Sequence, residues 1–121
     1  MIDVLPDAYG VENRHARKDH KCCECRGVIH KGEHYFYHHG VWDYQGQSFK
    51  ICLDCEHLRQ EIDKCYDHWE DRSSFGNLYE DVFGIENIVF GRWYISTKIK
   101  RDAPIQQWML DQLAKWEKRG F

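Results

Sequence analysis

No apolar run in the 121-residue chain approaches the ~18–20 residues that a helix needs to cross a bilayer, so no membrane span is expected. The opening residues, Met-Ile-Asp-Val-Leu-Pro-Asp, contain neither a basic stretch nor an apolar one. No signal peptide is therefore expected, and a cytoplasmic compartment follows as the expectation. Internal repeats, low-complexity tracts and flexible linkers are also missing. A net charge of only −3 excludes a histone-like polycation, and it argues against disorder in a chain that is 42% hydrophobic. The acidity is local: residues 52–90 carry three Lys/Arg against ten Asp/Glu, between two mildly basic ends.

Aromatic side chains and cysteines are plentiful instead. Five Trp, seven Tyr and six Phe supply large rings to a chain short enough that its core must be modest. The length suits one domain or slightly more. Residues 1–13 have no periodicity and read as a tail. Residues 34–39 (His-Tyr-Phe-Tyr-His-His) are rich in strand formers, Gly40 reads as an interruption, and Gln45-Gly46-Gln47 as a hairpin turn before a return strand at 48–51. Leu58, Ile62, Cys65 and Trp69 share one helical face, which predicts a helix from the second cysteine pair to about Asp71 and places Cys65 on its buried side. Asn77 and Glu80 have the spacing of a capping box for a short helix over 78–83. Residues 85–99 are β-branched and aromatic and read as one or two strands broken at Gly91. Asp102 and Pro104 open a C-terminal amphipathic helix with Ile105, Trp108, Met109, Leu113 and Trp116 on one face, stopped by Gly120.

Six cysteines without a secretion signal point to metal rather than disulfides. Four form two Cys-x-x-Cys pairs, Cys22/Cys25 and Cys52/Cys55, separated by 26 residues. Gly27 reads as the residue that permits the sharp first turn, and the second pair falls at a helix start, where free N–H groups favour thiolate charge. One structural Zn²⁺ held tetrahedrally by Cys22, Cys25, Cys52 and Cys55 is the expected cofactor, with no open position for catalysis. Cys23 is a poorer alternative to Cys22.

Cys22, Cys25, Gly27, Cys52 and Cys55, with strands 34–39 and 48–51 between the pairs and a helix after them, resemble the treble-clef zinc-finger family. A zinc ribbon is the rival arrangement. The resemblance covers about residues 20–69 and implies a small α+β treble-clef fold; the domain is expected over 14–71, extended over 72–121 by the strand segment and C-terminal helix that the residue pattern gives, packed on it. Residues 16–25, with Gly32-Glu33-His34-Tyr35 and Cys52-Leu53-Asp54-Cys55, are similar to small zinc proteins encoded by bacteriophages and prophages. That likeness implies a phage-encoded protein in a bacterial host's cytoplasm.

A non-catalytic binding module acting on a host protein is the leading functional expectation, through the acidic helix residues Glu56, Glu61, Asp63 and Asp67. The alternative is a DNA- or RNA-binding accessory protein. Arg14, Arg17, Lys18 and Lys21 would contact phosphates, and Tyr35, Tyr37, Trp42 and Tyr44 would stack on bases. A third reading is an unorthodox nuclease. Tyr37-His38-His39-Gly40 is the nearest match to the His-Asn-His nuclease family, but no Asp precedes His38 and no Pro follows. Otherwise His30, His34, His38 and His39 read as a polar strand face hydrogen-bonding the zinc thiolates.

Overall fold

Strand-forming residues around His34 organise an antiparallel sheet that begins earlier in the chain than the sequence pattern suggests. The computed structural model describes residues 8–42, 44–65 and 75–120. Within it, β1 (Ala8–His15), β4 (His34–Trp42) and β5 (Gln45–Cys52) form a sheet of order β1-β4-β5, and β2 (His20–Lys21) pairs with β3 (Val28–Ile29) in a separate ribbon. Four helices follow: α1 (Leu53–Asp63), α2 (Leu78–Gly84), α3 (Ile88–Lys100) and α4 (Gln107–Arg119). The chain is α+β, and no helix among the described residues is long and apolar enough to cross a membrane.

Several sequence expectations are corrected. The expected tail over 1–13 is strand β1 from residue 8 onward. It was not legible because its pattern is mixed and its pairing partners in β4 lie 19 to 33 residues along the chain. Gly40 does not interrupt β4; as the central strand it is held on both sides, Gly40 opposite Tyr9 and Gln47. The hairpin turns before Gln45 rather than at 45–47: Trp42 pairs with Gln45, and Tyr44 takes the positive φ of 64° that the tight reversal needs.

Helix α1 starts at the second cysteine pair as expected, but it ends at Asp63. Trp69 and the expected continuation to Asp71 lie outside the described residues. Cys65 is exposed, not buried on the apolar face, because the helix stops before it. Helix α2 has no side-chain cap from Asn77. The Leu78 N–H donates instead to Glu24 Oε1 at 3.0 Å.

The largest correction is α3, a helix over the stretch read as strand. Its buried residues Ile88, Gly91, Tyr94, Ile95 and Lys98 recur at three- and four-residue spacing. Asn87 caps it by accepting from the Val89 and Phe90 N–H groups at 2.9 and 3.2 Å. Burial of that face outweighs the mild helix penalty of β-branched residues. Helix α4 begins at Gln107 rather than near Asp102, which sits at positive φ in the connection. Gly120 ends it in the left-handed region at φ 80°. Met109, Leu113 and Trp116 of α4 are buried, while Trp108 is partly exposed and packs its ring against Phe83 and Tyr79.

Candidate metal centre

Cys22 and Cys25 flank the turn that joins β2 to β3. Cys52 closes β5 and Cys55 lies in the first turn of α1. The turn is closed by the Arg26 N–H donating to Cys22 O at 3.0 Å and the Cys22 N–H donating to Gly27 O at 2.8 Å. Arg26, not Gly27, takes the positive φ, of 65°. Gly27 is required for space: a Cβ there would lie 2.4 Å from Arg101 Cβ and 3.2 Å from Cys25 Sγ.

The four sulfurs lie within 4.8 Å of one another, and each cysteine is 0–1% exposed. A tetrahedral ion with metal–sulfur bonds of ~2.3 Å sets sulfur–sulfur edges of about 3.8 Å, so the cluster is the right size for one ion. Backbone amides point at the sulfurs. The Glu24 and Cys52 N–H groups donate to Cys22 Sγ, both at 3.4 Å. The Gly27 N–H donates to Cys25 Sγ at 3.3 Å, and the Cys55 N–H to Cys52 Sγ at 3.4 Å. Cys52 is thus the N-cap of α1 as well as a candidate ligand. Hydrogen bonds within the cluster, that from Cys25 foremost, hold the Cys22 thiol well below its usual range, while those with Cys22 push Cys52 and Cys55 up. Four crowded thiols cannot all ionise alone; a cation among them removes that conflict. The buried cluster could therefore hold one metal ion, and its soft thiolate donors suit zinc.

The shell around the cluster was not legible in the sequence. Glu24, between the candidate ligands Cys22 and Cys25, is 1% exposed. Its carboxylate accepts from Arg59 Nη1 at 2.9 Å and from the Gly76 and Leu78 N–H groups at 3.0 Å each. Its carbonyl accepts from Tyr94 Oη at 3.0 Å. Burial raises the Glu24 carboxyl above its ordinary range, against the pull of Arg59. Lys98 Nζ donates to Cys25 O at 2.9 Å and to Pro104 O at 3.0 Å. Arg101 donates to Val28 O, Glu33 and Asp54, each at 3.0 Å, and its carbonyl accepts the Val28 N–H at 2.8 Å. Lys98 and Arg101 bring positive charge beside sulfurs that become anionic on binding a metal. Nothing in isolation marks these residues, since their role depends on α3 docking on the knuckle.

The other candidates are dispersed. His38 is buried, with its Nδ1 2.5 Å from the Tyr9 hydroxyl and its Nε2–H donating to Glu56 at 2.8 Å. It bonds no thiol, and both ring nitrogens are engaged. His39 makes an exposed ion pair with Glu12. Glu56 is correspondingly buried in the core side of α1 rather than presented to a partner. Burial would raise its pKa, but the His38 bond outweighs this and holds it below the ordinary range. Glu61 pairs with Lys64 at 2.7 Å, Asp63 is exposed, and Asp67 lies outside the described residues.

Among the basic set, Arg14 pairs with Glu12 at 3.2 Å and lies 3.8 Å over the Tyr37 ring, which it covers. Arg17, Lys18 and Lys21 are exposed and make no ion pair among the described residues. Tyr35 is buried, Tyr44 is 96% exposed, and the Trp42 side chain lies outside the described residues. No protein-family model matches the chain, and no curated protein or solved structure is significantly similar to it.

Proposed function

We propose that this chain is a non-catalytic binding module of treble-clef type, built around one structural zinc ion, whose ligand is a nucleic acid gripped by its phosphates beside the knuckle. The closed, buried four-cysteine cage supports the structural role of the metal, because four protein ligands leave no coordination position for water or substrate. Purified protein should contain one zinc per chain, and Cys25→Ser or Cys52→Ser should abolish retention.

One observation carries the choice of ligand. Arg17, Lys18 and Lys21 stand exposed without ion pairs among the described residues, and the fold adds Lys31 to them. The Lys31 N–H donates to Asp19 Oδ1 at 2.8 Å, and the Ala16 and Gly32 backbones bond the two segments together. The acidic helix, in contrast, loses Glu56 to the core and Glu61 to Lys64. Four phosphate contacts on duplex DNA give a slope of log affinity against log salt of about −3 to −4. Fluorescence anisotropy with labelled single-stranded and duplex DNA should show that dependence, and Arg17→Ala/Lys18→Ala/Lys21→Ala should flatten it. Absence of binding at low salt would overturn the reading. A lysate protein retained by the wild type and released by Glu61→Lys/Asp63→Lys would favour a protein partner instead. Phage origin and action in a bacterial host rest on the sequence resemblance over 16–25, 32–35 and 52–55.

A further inference from the structure

Strands β1 and β4 meet at one end in a register pair of imidazoles, His15 opposite His34. Both residues are exposed, and their ring centroids are 3.8 Å apart at an interplanar angle of 61°. His34 Nδ1 lies 3.0 Å from Asn13 Oδ1. A carboxamide oxygen only accepts, so Nδ1 is the donor in this bond and Nε2 takes no part in it. Fixing one ring nitrogen as a donor in this way is how proteins prepare the other to bind a metal. Directly opposed residues of an antiparallel ladder hold their Cβ atoms roughly 4.5–5.5 Å apart. That spacing lets two imidazoles converge on one ion at bonds of about 2.0–2.1 Å after a small opening of the rings.

The site is held in place before any ion arrives. Just beyond the pair, the Ala16 N–H donates to Glu33 O at 2.9 Å and the Gly32 N–H to Ala16 O at 2.8 Å, tying the two strand ends. Neither imidazole makes an ion pair among the described residues. A bare ring-on-ring contact would need no oriented tautomer.

We propose that His15 and His34 form a second metal site, with Asn13 as its positioning residue. The site takes a divalent transition ion of the imidazole-preferring class, such as Ni²⁺, Cu²⁺ or Zn²⁺, with water completing the coordination. It differs in kind from the cysteine cage: it lies on the surface and keeps open positions, so its ion exchanges and can accept a further ligand.

The test is calorimetric titration of Ni²⁺ into the zinc-loaded full chain, in a Cys65→Ser background that removes the exposed thiol. One Ni²⁺ per chain should bind beyond the zinc. His15→Ala and His34→Ala should each weaken it at least tenfold, and Asn13→Ala about tenfold. His57→Ala should leave it unchanged. Zinc content should stay at one per chain in every variant, which shows that the fold is intact. Undetectable Ni²⁺ binding, unchanged affinity in both histidine variants, or an equal loss in His57→Ala would each overturn the proposal.

Discussion

Gly27 is the residue on which the cysteine cage and the helical half of the molecule press at once. Its missing Cβ lets Arg101 Cβ approach to a distance no side chain would allow, while the same turn points two amides at sulfur. Neither neighbour can give way: Arg101 is held at both ends by Val28, Glu33 and Asp54, and the cysteines are held by the cage. Gly27→Ala should therefore cost about 3 kcal/mol of stability, at the top of the overpacking range, and should weaken metal retention in parallel. Denaturant unfolding with zinc release monitored by a chromophoric chelator would measure both. A loss below about 1 kcal/mol would show that Arg101 moves freely. The glycine was legible in the sequence as a knuckle residue, but for the wrong reason. Turn chemistry suggested backbone freedom, whereas the constraint is a neighbour that arrives from seventy positions along the chain.

Element by element, the helices and strands nearest the cysteines follow local rules, and the more distant ones do not. Helix α1 starts where Cys52 caps it, and β4 and β5 carry the aromatic and β-branched residues expected of strands. Helix α3 breaks those rules. Residues 88–100 have strand composition, yet they bury a helical stripe against α1, α2 and α4, and Gly91 marks the closest approach. A Cβ at Gly91 would lie 2.6 Å from Leu113 Cδ2 and 3.1 Å from Trp116 Cζ3. Gly91→Val should cost on the order of 2 kcal/mol, since overpacking outweighs the small helix-propensity gain. Thermal unfolding with metal present would measure it. Unchanged stability would mean that α3 and α4 do not cross there. The three- and four-residue spacing of Ile88, Gly91, Tyr94, Ile95 and Lys98 was present in the sequence, but a glycine and a lysine among the buried positions disguised it.

For the whole molecule, the cage is coupled to elements far from it in sequence. Tyr94 and Lys98 of α3 bond the carbonyls of Glu24 and Cys25, and the Glu24 carboxylate holds Arg59 and the start of α2. Structural zinc contributes roughly 10–16 kcal/mol in finger peptides, as much as the ~5–15 kcal/mol that stabilises a typical domain. With the proposed zinc bound in the cage, its removal should therefore unfold α2, α3 and α4 together with the β2–β3 turn, in one cooperative transition. Near-ultraviolet circular dichroism, which reports Trp93, Trp108 and Trp116 in the helical part, should collapse at the same chelator concentration as the zinc is lost. Persistence of that signal after complete zinc removal would show that the helices stand without the cage.

Spacing alone picked out the four cysteines that the fold gathers into one buried cluster able to hold a metal ion. Two Cys-x-x-Cys pairs are a local chemical pattern, and a helix start beside the second is a local electrostatic one, so Cys22, Cys25, Cys52 and Cys55 could be named in advance. Tertiary structure decided everything that depends on distant partners: that residues 8–15 pair as an edge strand, that 88–100 coil into a helix, that Glu56 turns inward to His38, and that Glu24, Lys98 and Arg101 enclose the cage. The physical reason is that burial and hydrogen bonding act through space. A residue's own type constrains which partners it can accept, and only the folded chain determines which of them come within reach.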